Sequence, residues 1–343
     1  MLLSVQILRA IAAVLVVVCH AVHKQGQLSG SGSVWELGGS GVDLFFIISG
    51  FIMCHVTAGR RTTAGEFLSA RVLRIVPLYW ALTLVALAAY AVNPALVNSS
   101  GGVTDVFGSF VLFPTGAKFL IQTGWTLSYE FWFYIVFAAS LRFALRGRLI
   151  FISAAMFGLV VSGMVANPTD FTVRFLTDPL LLEFVMGIGA YLYLRSTACR
   201  PLCNLLLLTV GLVALVGLTG FGLRVNRVLA YGIPFMQIFC AVAGSEHAIR
   251  TISRSAIVRA SCALGDASYS LYLSHPFALA AAGFVIRHFG IQRYTVMSIA
   301  LLCLIALIVG YACYSLVEVN LNRYVKAALQ RLRRVAQPAD QHF

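Results

Sequence analysis

The sequence predicts an all-α polytopic membrane protein with about ten transmembrane helices and both termini in the cytoplasm. Three observations carry that expectation: composition, the spacing of apolar segments and the placement of basic residues. Of the 343 residues, 60% are hydrophobic and 11% charged, and the mean hydropathy is +0.89. That balance excludes disorder and an ordinary soluble fold. The net charge of +13 sets 12 acidic residues against 25 Lys and Arg, a shortage of acids in a sparsely charged chain. Membrane lipids are therefore the expected surroundings, and nucleic acid is not an expected partner.

Apolar segments fall at about 5–22, 38–57, 74–92, 125–144, 149–166, 178–195, 204–220, 228–245, 267–286 and 296–318. Each is near the roughly 20 residues a helix needs to cross hydrocarbon. The first lacks a clear basic leader and a small-x-small exit, so it reads as a retained helix rather than a signal peptide. With ten spans, one side of the membrane receives 18 of the 25 basic residues, and the other receives Lys24, Lys118, Arg174, Arg224, Arg227, Arg287 and Arg293. The richer side, which holds both chain ends, is assigned to the cytoplasm.

Along the chain, Thr62 or Thr63 is placed to cap an interfacial helix in TTAGEFLSARVLRIVP, with Glu66 three residues after Thr63. Pro77 falls early in the third span, where a helix tolerates it best. Residues 93–124 are the longest extramembrane stretch, on the outer side, and too short for a catalytic domain. The eight cysteines read as small buried hydrophobes: no His or carboxylate spacing makes a zinc pattern, and a reducing compartment disfavours a disulfide between Cys199 and Cys203. There is no Walker sequence and no GxGxxG. The chain divides into a membrane domain, 1–320, and a basic cytoplasmic tail, 321–343, in which LNRYVKAALQRLRRV forms a short amphipathic helix on the inner leaflet.

Ionisable groups within the bilayer are the informative ones, since each is costly unless paired or facing a cavity. Arg9 and His20 lie eleven residues apart on the first span, roughly 16 Å along a helix, with Arg9 at the cytoplasmic edge and His20 in the outer half. Asp43, in GVDLFFIISGFIM, and Glu130, in GWTLSYEFWFYI, fall in that same outer layer. An imidazole takes a proton from a hydroxyl at neutral pH, and a carboxylate fixes its tautomer. His20 oriented by Glu130 or Asp43 is thus a catalytic set for activating an alcohol toward an acyl group. The same groups suit a transporter's proton relay, and a structural histidine accounts for His20 alone. At the inner edge Arg71 and Arg74, three residues apart, share a helix face on which phosphates are held bidentately, with Arg9 nearby; the positive-inside bias explains them as well. His275 precedes Pro276, which lacks the backbone donor that would bond toward Tyr272. Its position suits the path between the phosphate layer and His20, or simply a kink. Glu318 balances an arginine, and Trp125, Tyr129 and Trp132 serve as interfacial aromatics or as platforms for a sugar.

Taken together these segments resemble one family. RAIAAVLVVVCH resembles the Arg-x10-His signature of the acyltransferase-3 membrane family, and SGVDLFFIISGFIM its second helix. RVLRIVPLYW is similar to its Arg-x-x-Arg element, TLSYEFWFYI and LGDASYSLYLSHP to its glutamate and late histidine helices, and YSLVEVN to the end of its last core helix, with Val319 where proline is common. The match runs in order over about residues 5–320. The resemblance implies acetyl transfer, in a bacterial inner membrane, from cytosolic acetyl-CoA to a hydroxyl of an exopolysaccharide or lipid-linked glycan, with no metal or prosthetic group. It makes His20 catalytic and Arg9 its partner, puts Arg71 and Arg74 at the coenzyme A phosphates, and places Glu130 and His275 at the family's later polar positions. The compact form, without an expected eleventh helix or hydrolase-like domain, looks most like the family's exopolysaccharide O-acetyltransferases, with polysaccharide assembly proteins as partners. The competing expectations are a lipid-linked glycan flippase, which needs no acetyl-CoA, and a noncatalytic scaffold, which tolerates loss of His20.

Overall fold

The structure, a computed structural model, describes residues 2–32, 35–98, 101–220 and 225–336. Arg224 and residues 337–343 of the expected tail lie outside them. Among the described residues all regular structure is helical apart from one bridge between Thr104 and Lys118. The principal helices are α1 (Leu3–Ser29), α2 (Gly41–Thr57), α3 (Ala64–Val92), α4 (Gly124–Ser140), α5 (Leu145–Ala166), α6 (Leu181–Leu194), α7 (Pro201–Gly220), α8 (Ile233–Gly244), α9 (Ala256–Asp266), α10 (Ser268–His288), α11 (Thr295–Ala312) and α12 (Val319–Ala336). Eight helical segments of the described residues are long and apolar enough to cross a membrane. Shorter helices, α4 and the stretch Val228–Gly244, occupy the places of the other two expected spans.

Two boundaries differ from the sequence expectation. The interfacial helix and the third span are one helix, α3. Thr63 caps it, its Oγ1 accepting from the Glu66 N–H at 3.2 Å while Glu66 Oε2 accepts from the Thr63 N–H at 2.9 Å. Pro77 therefore lies in the helix interior rather than near a start. At the other end, α11 passes through a π-helical turn, Cys313–Glu318, directly into α12, so the described part of the tail continues the last span. A π turn inserts an extra residue per turn and re-aims the side chains after it; Glu318, inside it, is 2% exposed.

α1 is the central helix, packed against α2, α9, α10 and α11. Its first turn has no cap of its own. The Leu3 and Ser4 N–H groups donate instead to Glu246, at 3.2 and 2.9 Å, as does the Ser4 hydroxyl at 2.7 Å, which satisfies donors that a helix start leaves open. Burial alone would raise the Glu246 carboxyl's pKa, but those hydrogen bonds and Arg250 outweigh it, and the group is held below its ordinary 4.5.

α2 crosses α6 at glycine. A Cβ on Gly50 would lie 2.1 Å from the Phe184 carbonyl oxygen, and one on Gly187 would lie 2.2 Å from that of Ile47. Small residues allow such backbone approach, which lets helices in lipid associate by packing alone. The Tyr79 hydroxyl donates to the Ser109 carbonyl at 2.6 Å and Trp80 Nε1 to that of Phe110 at 2.9 Å. These bonds pin the short helix Val106–Val111 to α3.

Candidate active site

Six helices converge on a cavity of about 400 Å³. α1 supplies Gln6 and Arg9, one turn apart; α3 supplies Arg71 and Arg74, also one turn apart; α2 supplies Ser49; α4 supplies Thr126, Glu130 and Tyr134; and α10 supplies Ser268, Tyr269 and Tyr272. Asp266, at the end of α9, completes the polar wall. Each of these pairs obeys the three- and four-residue periodicity that puts helical side chains on one face.

One end of the cavity holds three guanidiniums in different states. Arg9 donates to Gln6 Oε1 at 3.2 Å, and Gln6 in turn donates to Asp266. Arg74 pairs with Glu318 at 3.5 Å, and Glu318 also accepts from Ser270 at 2.5 Å. Arg71 has no carboxylate at ion-pair distance among the described residues; its guanidinium lies 5.8 Å over the Phe67 ring, and its buried Nε has no partner. A cavity wall whose free guanidinium stands beside two held ones is fitted to receive an anion.

Phe45, Thr126 and Tyr272 line the other end. One turn further along α10 is His275, whose ring centroid is 6.0 Å from that of Tyr272 and 4.8 Å from that of His20, edge to face. In both histidines Nδ1 faces the carbonyl one turn back: Val16 at 2.9 Å for His20, Leu271 at 3.2 Å for His275. A carbonyl only accepts, so Nδ1 carries the hydrogen in each neutral ring and Nε2 keeps its lone pair. The helix backbone thus does the tautomer-fixing that the sequence reading assigned to a carboxylate. His275 is 0% exposed, and its Nε2 has no partner among the described residues.

The two carboxylates expected beside His20 are engaged elsewhere. Glu130 accepts from Ser49 at 2.9 Å and from Tyr134, within the arginine-lined cavity. Asp43 is 0% exposed and takes the fork of Arg227, Nε to Oδ1 at 3.0 Å and Nη2 to Oδ2 at 2.7 Å. The reason is register. Glu130 lies one turn below Thr126 on α4, level with Ser49, whereas Thr126 is the residue that reaches Tyr272 and the histidine layer. Arg9, Arg71, Arg74 and Glu130 therefore share one cavity, His20 and His275 form a pair beyond its end, and Asp43 belongs to a third group.

Sequence reasoning missed Arg227, counted only toward the charge bias, together with Gln6, Asp266, Tyr134 and Tyr272. Gln6 stands three residues before Arg9 and Tyr134 four after Glu130, so helical spacing from a known polar residue was an available signal. For Arg227, which depends on a long-range pairing, there was none. All eight cysteines are free, and no group of three or more His, Cys, Asp or Glu among the described residues is arranged to hold a metal.

Comparison with known proteins identifies the family. A family model described as an acyltransferase domain matches residues 2–315. The chain is 32% identical over 321 residues to the exopolysaccharide production protein ExoZ of Rhizobium meliloti (strain 1021), covering 90% of this chain and 95% of that one. It is 28% identical over 301 residues to the acyltransferase MdmB of Streptomyces mycarofaciens, covering 78% and 76%. No solved structure matches it. The chain belongs to the acyltransferase-3 family, and it is a multi-pass membrane acyltransferase.

Proposed function

We propose that this acyltransferase moves an acetyl group from cytosolic acetyl-CoA, its acyl-donor substrate, to a hydroxyl of an exopolysaccharide or lipid-linked glycan, working in a bacterial inner membrane with both chain ends in the cytoplasm. The observation that supports this most is the order of groups along the bundle: a guanidinium without a carboxylate partner at one end of the cavity, and a pair of imidazoles beyond the other, His275 with an unpartnered Nε2. The 32% identity to an exopolysaccharide production protein points to the class of acceptor.

Arg71 receives the donor's phosphates, with Arg74 beside it, and the pantetheine arm extends toward Tyr272 and His275. Glu130, fixed by Ser49 and Tyr134, offsets the positive field of the arginines. His20 Nε2 takes the proton of the acceptor hydroxyl, or carries the acyl group in passing, while His275 holds the ring's other side. Asp43 and Arg227 lock the outer end of α2. This route puts the anionic donor on the side where it is made and the reaction near the face where a glycan is assembled.

The test is acetate on the envelope or secreted glycan, read by mass spectrometry and NMR, in cells carrying His20→Ala or Arg71→Ala. Both variants are expected to lose it; unchanged acetylation at normal expression would overturn the assignment. Labelled acetyl-CoA without acceptor separates the two chemistries: label bound to wild-type protein and absent from His20→Ala marks the covalent route.

A further inference from the structure

We infer that Tyr272 is a catalytic residue, donating its phenolic hydrogen to the carbonyl oxygen of the acyl thioester. The inference rests on the donor reading above and adds the electrophilic group which that reading lacks.

Tyr272 is the residue common to both halves of the site. It lines the outer end of the cavity, and its ring lies against His275, which lies against His20. Its hydroxyl shares a 2.8 Å hydrogen bond with Thr126 Oγ1 and is 3.2 Å from the Thr123 carbonyl. That same carbonyl already accepts from Thr126 Oγ1 at 3.0 Å. Two hydroxyls therefore serve one carbonyl, and the hydrogen of Tyr272 turns to a substrate oxygen without leaving a buried acceptor unpaired. Pro276 supplies no N–H to the Tyr272 carbonyl four residues back, so the backbone of α10 is loosened where this ring must adjust.

The step balances with groups already named. The acceptor hydroxyl oxygen attacks the thioester carbon as His20 Nε2 takes its proton, forming the C–O bond. The carbonyl π pair moves onto oxygen, where the Tyr272 O–H meets it. Collapse of that oxyanion breaks the C–S bond, and the leaving thiolate receives the proton from His20. A donor aimed at such an oxygen in a water-poor site typically contributes about 10²–10³ in rate.

The experiment uses full-length protein in inverted membrane vesicles from a glycan-producing strain, with labelled acetyl-CoA as donor, counting label in the glycan. Tyr272→Phe keeps the ring and removes one oxygen. The expected result is a kcat lower by about 10²–10³ with the KM for acetyl-CoA unchanged, and a much smaller loss in Thr126→Ala at matched expression and melting temperature. Equal losses in the two variants, a change confined to KM, or a Tyr272→Phe rate within threefold of wild type overturns the role of Tyr272 alone. Wild-type vesicles that transfer no acetyl group overturn the donor reading with it.

Discussion

Gly187→Ala tests the crossing on which the cavity's α2 wall depends. The new Cβ would stand 2.2 Å from the Ile47 carbonyl oxygen, 2.7 Å from the Phe51 nitrogen and 2.9 Å from the Gly50 Cα. All three are backbone atoms, so no side chain is able to rotate out of the way. Restoring ordinary contact near 3.5 Å requires α2 and α6 to part by about 1 Å, a gap at which packed atoms forfeit a quarter to a half of their attraction. Overpacking of this kind costs about 1–3 kcal/mol, and the rigidity of the neighbours puts this site at about 3 kcal/mol. The displacement also reaches the site, because Ser49 is next to Gly50 and holds Glu130 at 2.9 Å. A shift of that size takes the bond past its working range. The assay is thermal unfolding of the purified protein in detergent alongside acetyl transfer in vesicles, with Gly158→Ala and Gly217→Ala as controls, since neither Cβ meets anything within 4 Å. Gly187→Ala is expected to melt at least about 5 °C lower with transfer reduced, and the controls to match wild type. A variant that melts with the controls refutes the close approach and the reasoning built on it.

Two further outcomes follow from individual contacts. Glu318→Gln removes the carboxylate that Arg74 meets at 3.5 Å and frees that guanidinium, and because its side chain is 45% exposed, the expected effect is a fall of only about threefold in KM for the proposed donor acetyl-CoA with kcat kept; a change in kcat alone would argue against a donor-side role. Glu246, held below its ordinary 4.5, contributes stability that is complete above that value and is lost as pH falls through the depressed one. Acid unfolding of Glu246→Gln, followed by tryptophan fluorescence, should start from a lower stability at neutral pH and show a shallower decline below pH 4.5; a profile parallel to wild type would remove Glu246 as the cap of α1.

The helical membrane class was legible because composition and apolar run length follow directly from lipid as solvent. Depth was legible too: counting residues from the membrane edge put Arg9, Arg71 and Arg74 in one layer and His20 well above them. Azimuth was not. Glu130 and His20 were assigned a common outer layer, and only the rotation and register of α4 against α2 show the carboxylate turned to Ser49 and Tyr134 while Thr126 faces Tyr272. Asp43 was drawn toward His20 because its true partner, Arg227, is 184 residues away in sequence, and nothing local announces such a pairing. The tautomer was misattributed for a different reason. A carboxylate was sought for a task that a helix performs with its own carbonyls, and the i to i−4 geometry at Val16 and Leu271 becomes evident only once the rings have rotamers.

The placement of α1 has a consequence for biogenesis. α1, which carries His20, is made well before three of its packing neighbours, α9, α10 and α11, and before the Glu246 that seals its start, 242 residues after Ser4. Until they insert, an arginine and an imidazole wait in the bilayer without their final surroundings. Nascent or truncated chains should therefore depend on the insertion machinery or its attendant chaperones to shelter α1 until α9, α10 and α11 are made, and the proposed site comes into being only with them.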